Sequence, residues 1–203
     1  MHIEFLVEEP SAESALENLI PKMVGPAVSF KIRPFQGKPN LLANLPARLK
    51  GYSQWLPEDW RIVVLIDADN EDCRVLKDSL EHMAADVGLI TKTAAGGMRF
   101  QVLNRLAIEE LEAWFIGDED AMRAAYPRVE KNIAQKEKYR NPDAIAGGTW
   151  ETLERLLQKG GYFRGGLGKV TAAREISQHM APEKNRSRSF QIFRDGLLTM
   201  VKG

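Results

Sequence analysis

Polar residues interrupt the apolar runs of this chain at regular intervals, and the interruptions define its elements. Ile3–Val7 is short, apolar and β-rich, and Val28–Ile32 with Phe35 alternates as a second strand. Ile62–Ile66 is a run of apolar residues bounded by polar ones, the pattern of a strand buried on both faces. Between the first two strands, Ala15, Leu16, Leu19, Ile20 and Met23 fall on one face of a helix Ala12–Met23, with Ser11 as its N-cap. Pro21 is expected to kink that helix or end it near Ile20. Leu41, Leu42, Leu45 and Leu49 form the stripe of a second helix, opened at Gly37-Lys38-Pro39-Asn40 and ended by Gly51. A third helix, about Asp72–Val87, carries Val75, Leu76, Leu80, Met83 and Val87 and closes at Gly88. Leu89–Lys92 and Phe100–Leu106 read as further strands. Such alternation predicts an α/β protein whose mostly parallel sheet is flanked by helices.

After Ala107 the pattern turns helical. The periodicity predicts helices over Ile108–Ile116, Glu119–Ala125, Trp150–Gln158 (capped by Thr149), Val170–Met180 and Phe190–Val201. Tyr126–Gly148 is polar and reads as a long loop. The expected organisation is an α/β domain over 1–118, with a mostly helical, basic region over 119–203 packed on it.

Composition narrows the class. The chain has 203 residues, 44% hydrophobic and 28% charged, ordinary for a globular protein. No apolar run approaches the ~20 residues needed to span a bilayer. The opening MHIEFLVEEP has acids where a secretory signal needs a basic flank, so the expected location is the cytoplasm. A single cysteine, Cys73, excludes an internal disulfide and a multi-cysteine zinc site, and is expected to be small and buried. The net charge is zero but unevenly spread. Residues 1–118 carry 12 Lys+Arg against 18 Asp+Glu, and residues 119–203 carry 16 against 10. That asymmetry is compatible with acids binding metal in the first part and bases binding phosphate in the second, or with two solvated faces.

The chemistry-bearing residues cluster where strands end. Glu8 and Glu9 follow the first strand, and Asp67 and Asp69 follow the third. In an open parallel sheet the C-terminal strand ends form the ligand edge. Two aspartates one residue apart repel each other, and a hard divalent cation such as Mg²⁺ or Mn²⁺ removes that conflict. The bland alternative is that Asn70 or one of the aspartates caps the following helix. On the helix expected over Ile108–Ile116, Glu109 and Glu112 are three apart and share a face, while Glu110 points elsewhere. With these added, the set becomes the kind used to activate water and stabilise a phosphoryl leaving oxygen.

Val7-Glu8-Glu9 at the end of a first strand resembles the Val-Glu-Gly of the Toprim fold, and Leu65-Ile-Asp67-Ala-Asp69 resembles its Asp-x-Asp motif. The match covers roughly residues 1–116, and the whole chain looks like a bacterial family of stand-alone Toprim-like proteins. The resemblance implies a Toprim-like fold and a nuclease of the OLD type. Glu8 would be a metal ligand or general acid/base, Asp67 and Asp69 would hold Mg²⁺, and Glu112 or Glu109 would complete a two-metal site. Glu13 matches a weaker acid of the family's first helix. It also implies nucleic acid, DNA or RNA, as substrate and a separate ATPase partner. Glu9 departs from the family's glycine, and the accessory domains and nucleophilic tyrosine of topoisomerases are missing.

The second half offers donors for phosphate: Lys169 and Arg174 behind Gly165-Gly-Leu-Gly168, and Arg186 and Arg188 in Asn-Arg-Ser-Arg-Ser. Arg186 and Arg188 are equally suited to tying down the start of the last helix. His82, beside an apolar helical stripe, reads as structural. Two rivals to a nuclease stay open on the residues. One is a non-catalytic nucleic-acid- or partner-binding subunit with a structural or vestigial metal site. The other is a phosphatase using Asp67 as nucleophile.

Overall fold

The structure, a computed structural model, describes residues 1–203. Four parallel strands form one sheet in the order β2-β1-β3-β4: β1 is His2–Val7, β2 Ser29–Pro34, β3 Trp60–Asp67 and β4 Val102–Ala107. Helices α1 (Pro10–Val24), α2 (Lys38–Trp55) and α3 (Cys73–Ala85) make the crossovers. The protein is therefore α/β, as the alternation predicts. β1 and β3, the two most apolar runs, take the centre, where both faces are covered.

The two faces have separate cores. Ile3, Phe5, Val7, Val63 and Leu65 pack under α1 and the later helices, while Leu6, Ile62, Val64 and Ile66 pack under α2 and α3. The chain leaves β1 towards β2 with its helix on one face, and leaves β3 towards β4 with its helix on the other. The sheet thus reverses its winding between β1 and β3, and the crevice beyond their C-terminal ends is where such sheets bind ligands.

The remaining helices are α4 (Glu112–Ile116), α5 (Glu119–Ala125), α6 (Thr149–Lys159), α7 (Lys169–His179) and α8 (Arg188–Lys202), with three short 3₁₀ turns between α5 and α6. They share the larger core. Trp114 is fully buried against Phe190 and Phe193, and its indole N–H donates to Ser189 Oγ at 2.9 Å. α7 docks on α1 through Asn18, which donates to Ser177 Oγ at 2.9 Å. Beside it Lys22 donates to the carbonyls of Ser177, Gln178 and Met180 at the end of α7, where helical bonding runs out. No helix is long and apolar enough to cross a membrane.

Several boundaries differ from expectation, each for a local reason. α1 starts at Pro10, a residue favoured in a first turn, so the cap position falls on Glu9; Ser11 is buried and donates to the Glu9 carboxylate. Pro21 does not end α1. Pro21 and Glu17, whose carbonyl the proline leaves free, are both on the exposed side, where water can replace the missing bond. Gly51 does not end α2, which continues to Trp55. Leu89–Lys92 makes only one bridge, Thr91 to Val102, before turning away. Thr149 opens α6 from inside, after Gly148.

The largest correction is at Ile108–Ile116. The helix begins only at Glu112. Ala68 N–H donates to Ala107 O at 2.8 Å and Asp69 N–H to Glu109 O at 2.6 Å. These bonds extend the β3–β4 partnership past the strands and exclude helical bonding there. Glu109 takes a left-handed conformation, φ 57°. Glu109 and Glu112 therefore do not share a helix face.

Candidate acidic site at the sheet switch point

Glu8 is the first residue beyond β1, and Asp67 is the last of β3. The register pairs Val7 with Leu65, so the next residues of the two strands meet. Glu8 Oε2 accepts the N–H of Asp67 at 3.1 Å. Asp67 is 8% exposed, and burial pushes its carboxyl well above the usual range, helped by the negative charges of Glu112, Glu8 and Glu9. Burial raises Glu8 as well, against the pull of its bond from the Asp67 amide.

Glu112 closes the group from the start of α4. It is 1% exposed, and burial pushes its carboxyl up to about 7. Its Oε2 is buried with no hydrogen-bond partner. Its Oε1 lies 3.7 Å from Lys169 Nζ, which also stands 3.8 Å from Glu9 Oε1. Burial opposes the charge on Lys169, but Glu112, Glu9, Glu110 and Asp67 outweigh it and hold the ammonium above its ordinary range. Lys169, expected to meet phosphate, thus faces the acidic edge.

Asp69 and Glu109 are placed differently. Asp69 is left-handed, φ 49°, and its Oδ2 is held by Lys38 Nζ at 2.6 Å. Lys38 also donates to Glu71 Oε1 at 2.8 Å and Ala68 O at 3.2 Å. Burial would lower this ammonium, yet its bonds to Asp69 and Glu71 keep it raised. Glu109 lines an open cleft of about 410 Å³ with Asp69, Asn70, Glu110, Gly147, Gly148 and Glu151, and one of its oxygens is buried without a partner. Neither aspartate caps α3. That role belongs to Asp72, which accepts from Arg74 N–H at 2.8 Å and Val75 N–H at 3.4 Å.

The donor chemistry of Glu8, Asp67 and Glu112 fits a hard divalent cation. All are oxygen ligands, a cation would offset the cost of burying their ionised forms together, and one Glu112 oxygen lacks any partner. As the side chains stand, no three acidic, histidine or cysteine side chains are gathered closely enough to hold a metal ion. Asp69 is drawn off by Lys38, and Lys169 already answers part of the charge at Glu112.

The basic residues separate into two kinds. Arg186 is inward: its guanidinium donates to Ile116 O and Arg140 O at 3.1 Å each and to Tyr139 O at 3.3 Å. Arg174 and Arg188 are exposed. The cap of α8 is Ser187, which accepts from Phe190 N–H at 3.2 Å. Glu13 lies in the first turn of α1, half-buried, its carboxyl raised by burial and by Glu17. Cys73 is exposed, not buried: it is the first residue of α3, at the open end of the helix and short of the core that Leu76 and Leu80 reach. His82 is likewise exposed on that helix.

Two participants escape a reading by motif: Lys38 and Glu110. Glu110 Oε2 accepts from Thr149 Oγ1 at 3.0 Å and Trp150 N–H at 2.8 Å, so it caps α6 from outside the helix. Lys38 carried a signal, since it opens the helix after β2 and so lies on the same sheet edge as Glu8. The chain matches no curated protein and no solved structure. A family model described as a domain of unknown function (DUF4276) matches residues 7–198, every strand end of the acidic edge and all the helices that close it, and the chain belongs to that family.

Proposed function

We propose that this protein is a cytoplasmic, Toprim-like phosphodiesterase that hydrolyses DNA or RNA with Mg²⁺ or Mn²⁺. The observation that carries the reading is the burial of Asp67 and Glu112 beside Glu8 at the switch point of the sheet, with a Glu112 oxygen left unpartnered. Glu8, Asp67 and Glu112 would hold the ion. When bound it supplies Lewis acidity and lowers the pKa of a water. Where Glu8 is left free of the ion, its proton affinity, raised by burial, would let it take a proton from the attacking water and return it to the leaving oxygen. Lys169 steadies Glu112 and balances charge at the phosphate. Lys38 holds Asp69 and the β3 loop in position. The exposed Arg174 and Arg188 are free to meet the substrate backbone. A separate ATPase partner belongs to this proposal through the Toprim resemblance.

The test is cleavage of supercoiled and single-stranded DNA and of RNA in Mg²⁺, Mn²⁺ or EDTA, comparing wild type with Glu8→Ala/Asp67→Ala. Cutting that needs metal and disappears in the double mutant is the expected result. Equal cutting by the mutant overturns it.

One observation favours a second reading. Lys169 lies within ion-pair distance of both Glu9 and Glu112, which neutralises part of the cluster without a metal. A non-catalytic binding subunit would use the site in that form. It would bind nucleic acid in EDTA and cut it under none of these conditions.

A further inference from the structure

A groove crosses α2 on the face of the sheet that carries Leu6 and Ile62, well away from the acidic edge. It encloses about 330 Å³ and is lined by Glu4, Arg33, Ala47, Arg48, Gly51, Tyr52, Trp55 and Trp60. Three features set it apart from ordinary surface.

The first is aromatic. Trp55, the last residue of α2, is 55% exposed. Its ring meets Trp60 edge-on at 5.6 Å and Tyr52 at 5.5 Å, and Trp60 in turn packs on His2 at 4.2 Å. Half of the chain's four tryptophans are here. The second is charge. Glu4 is buried, and although burial pushes its carboxyl up, hydrogen bonds from Arg33, His2 and Tyr52 hold it below its ordinary value. Glu4 therefore spends its charge inside the fold. Arg33 keeps an exposed flank, and Arg48 is exposed without a carboxylate partner. The third is space. Gly51 is an ordinary helical residue, and a Cβ there would meet nothing within 4 Å. Glycine is less favourable than alanine inside a helix, and no turn or close contact in the chain requires it here.

We propose that this groove binds a nucleotide unit: the base stacks on Trp55 above the open floor at Gly51, and the phosphate meets Arg48 and the outer side of Arg33. Exposed aromatics beside arginines are the general means of holding unpaired nucleotides, because every base has a stacking face. The occupant is a nucleotide of single-stranded nucleic acid. Glu4, in the groove, and Glu8, at the acidic edge, lie four residues apart on one strand, roughly 13 Å. Phe5 and Leu6, between the two places, are fully buried, so the groove is a separate site on the surface. It adds a strand-binding site to the phosphodiesterase reading, and binding is measured separately from cutting.

The experiment is titration of the full chain in EDTA with oligo-thymidylate and, in parallel, with thymidine 5′-monophosphate, read by tryptophan fluorescence and by anisotropy of a labelled oligonucleotide. Oligo-thymidylate is expected to quench fluorescence and bind. Trp55→Ala should weaken binding roughly tenfold, the loss of one stacked base, and Trp55→Phe should restore most of it. Gly51→Leu should block binding with a cooperative melt retained, whereas Gly51→Ala should bind as wild type. Equal binding by Trp55→Ala and Gly51→Leu, or no binding by wild type, overturns the site. Equal affinity for the monophosphate would keep the nucleotide site and overturn the strand as its occupant. Loss of cutting with binding in EDTA intact would count against the catalytic reading alone.

Discussion

Lys169 Nζ lies 3.7 Å from Glu112 Oε1, joining a basic residue of the C-terminal region to the most deeply buried acid of the sheet edge. The pair does more than hold two parts of the chain together. It also offsets part of the negative charge gathered at the edge, since Lys169 stands within ion-pair distance of Glu9 as well.

Lys169→Met should therefore leave Glu112 uncompensated. The variant's stability deficit should be on the order of 1–3 kcal/mol at about pH 8, where Glu112 is ionised, and smaller at about pH 5, where it is protonated. Thermal melts at both values in EDTA measure this. Adding Glu112→Gln should remove most of the difference, since the orphaned charge goes with it.

Glu112 alone makes the pH dependence explicit. Its carboxyl is raised from 4.5 to about 7, so the folded chain holds the proton more tightly than the unfolded one. The contribution is full below the unfolded value, is lost as pH rises towards about 7, and is constant above. Metal-free Glu112→Gln should outlast wild type at about pH 8, by roughly 1–3 kcal/mol, and the gap should close towards about pH 5. A gap of constant size in urea melts would show that Glu112 is not the titrating group.

Asp67→Asn should separate stability from chemistry. The substitution removes a buried charge facing Glu112 and Glu8, so the metal-free protein should be as stable as wild type or up to about 2 kcal/mol more stable. Metal-dependent cutting should fall at least 100-fold, roughly the scale of one catalytic electrostatic contact. A destabilised but fully active variant would contradict both parts.

Arg186 and Arg188 should behave oppositely. Arg186→Ala removes donors from three carbonyls of the 116–140 region and should cost about 1–3 kcal/mol in a melt. Arg188→Ala is exposed and should be neutral in stability, within about 0.5 kcal/mol. Any loss of nucleic-acid affinity should appear in Arg188→Ala, with a shallower salt dependence.

The strands and most helices were legible because their signals are local. Ile62–Ile66 can only be a covered strand, and the stripe of Leu76 and Leu80 can only face a core. The edge carrying Glu8 and Asp67 was legible through topology, since parallel strands bring their ends to one side. What escaped depends on partners distant in sequence. The turn at Glu109 is fixed by Asp69 from another strand, so a helical pattern over Ile108–Ile116 misled. Arg186 stayed open between a phosphate donor and a tie to the last helix because the carbonyls it serves lie 46 to 70 positions away. Pro21 and Gly51 are strong local punctuation, but exposure on one side and open space on the other let both helices run on. Lys38 carries no motif, and only its place beside the switch point marks it.

The docking of α1 on α7 has a kinetic consequence. Lys22 finds its carbonyl partners 155 to 158 positions further along the chain. During synthesis the first helix thus emerges long before the surface that completes it. Leu16, Leu19 and Ile20 have the sheet to pack on, while the flank carrying Asn18 and Lys22 stays open until α7 has left the ribosome. Contacts so far apart close slowly, because the loop entropy is lost before the contact rewards it. A chain stalled before α7 should therefore lack the part of the larger core that Ala172, Ala173 and Ile176 fill, and the last third of the sequence should set the pace at which the acidic edge becomes whole.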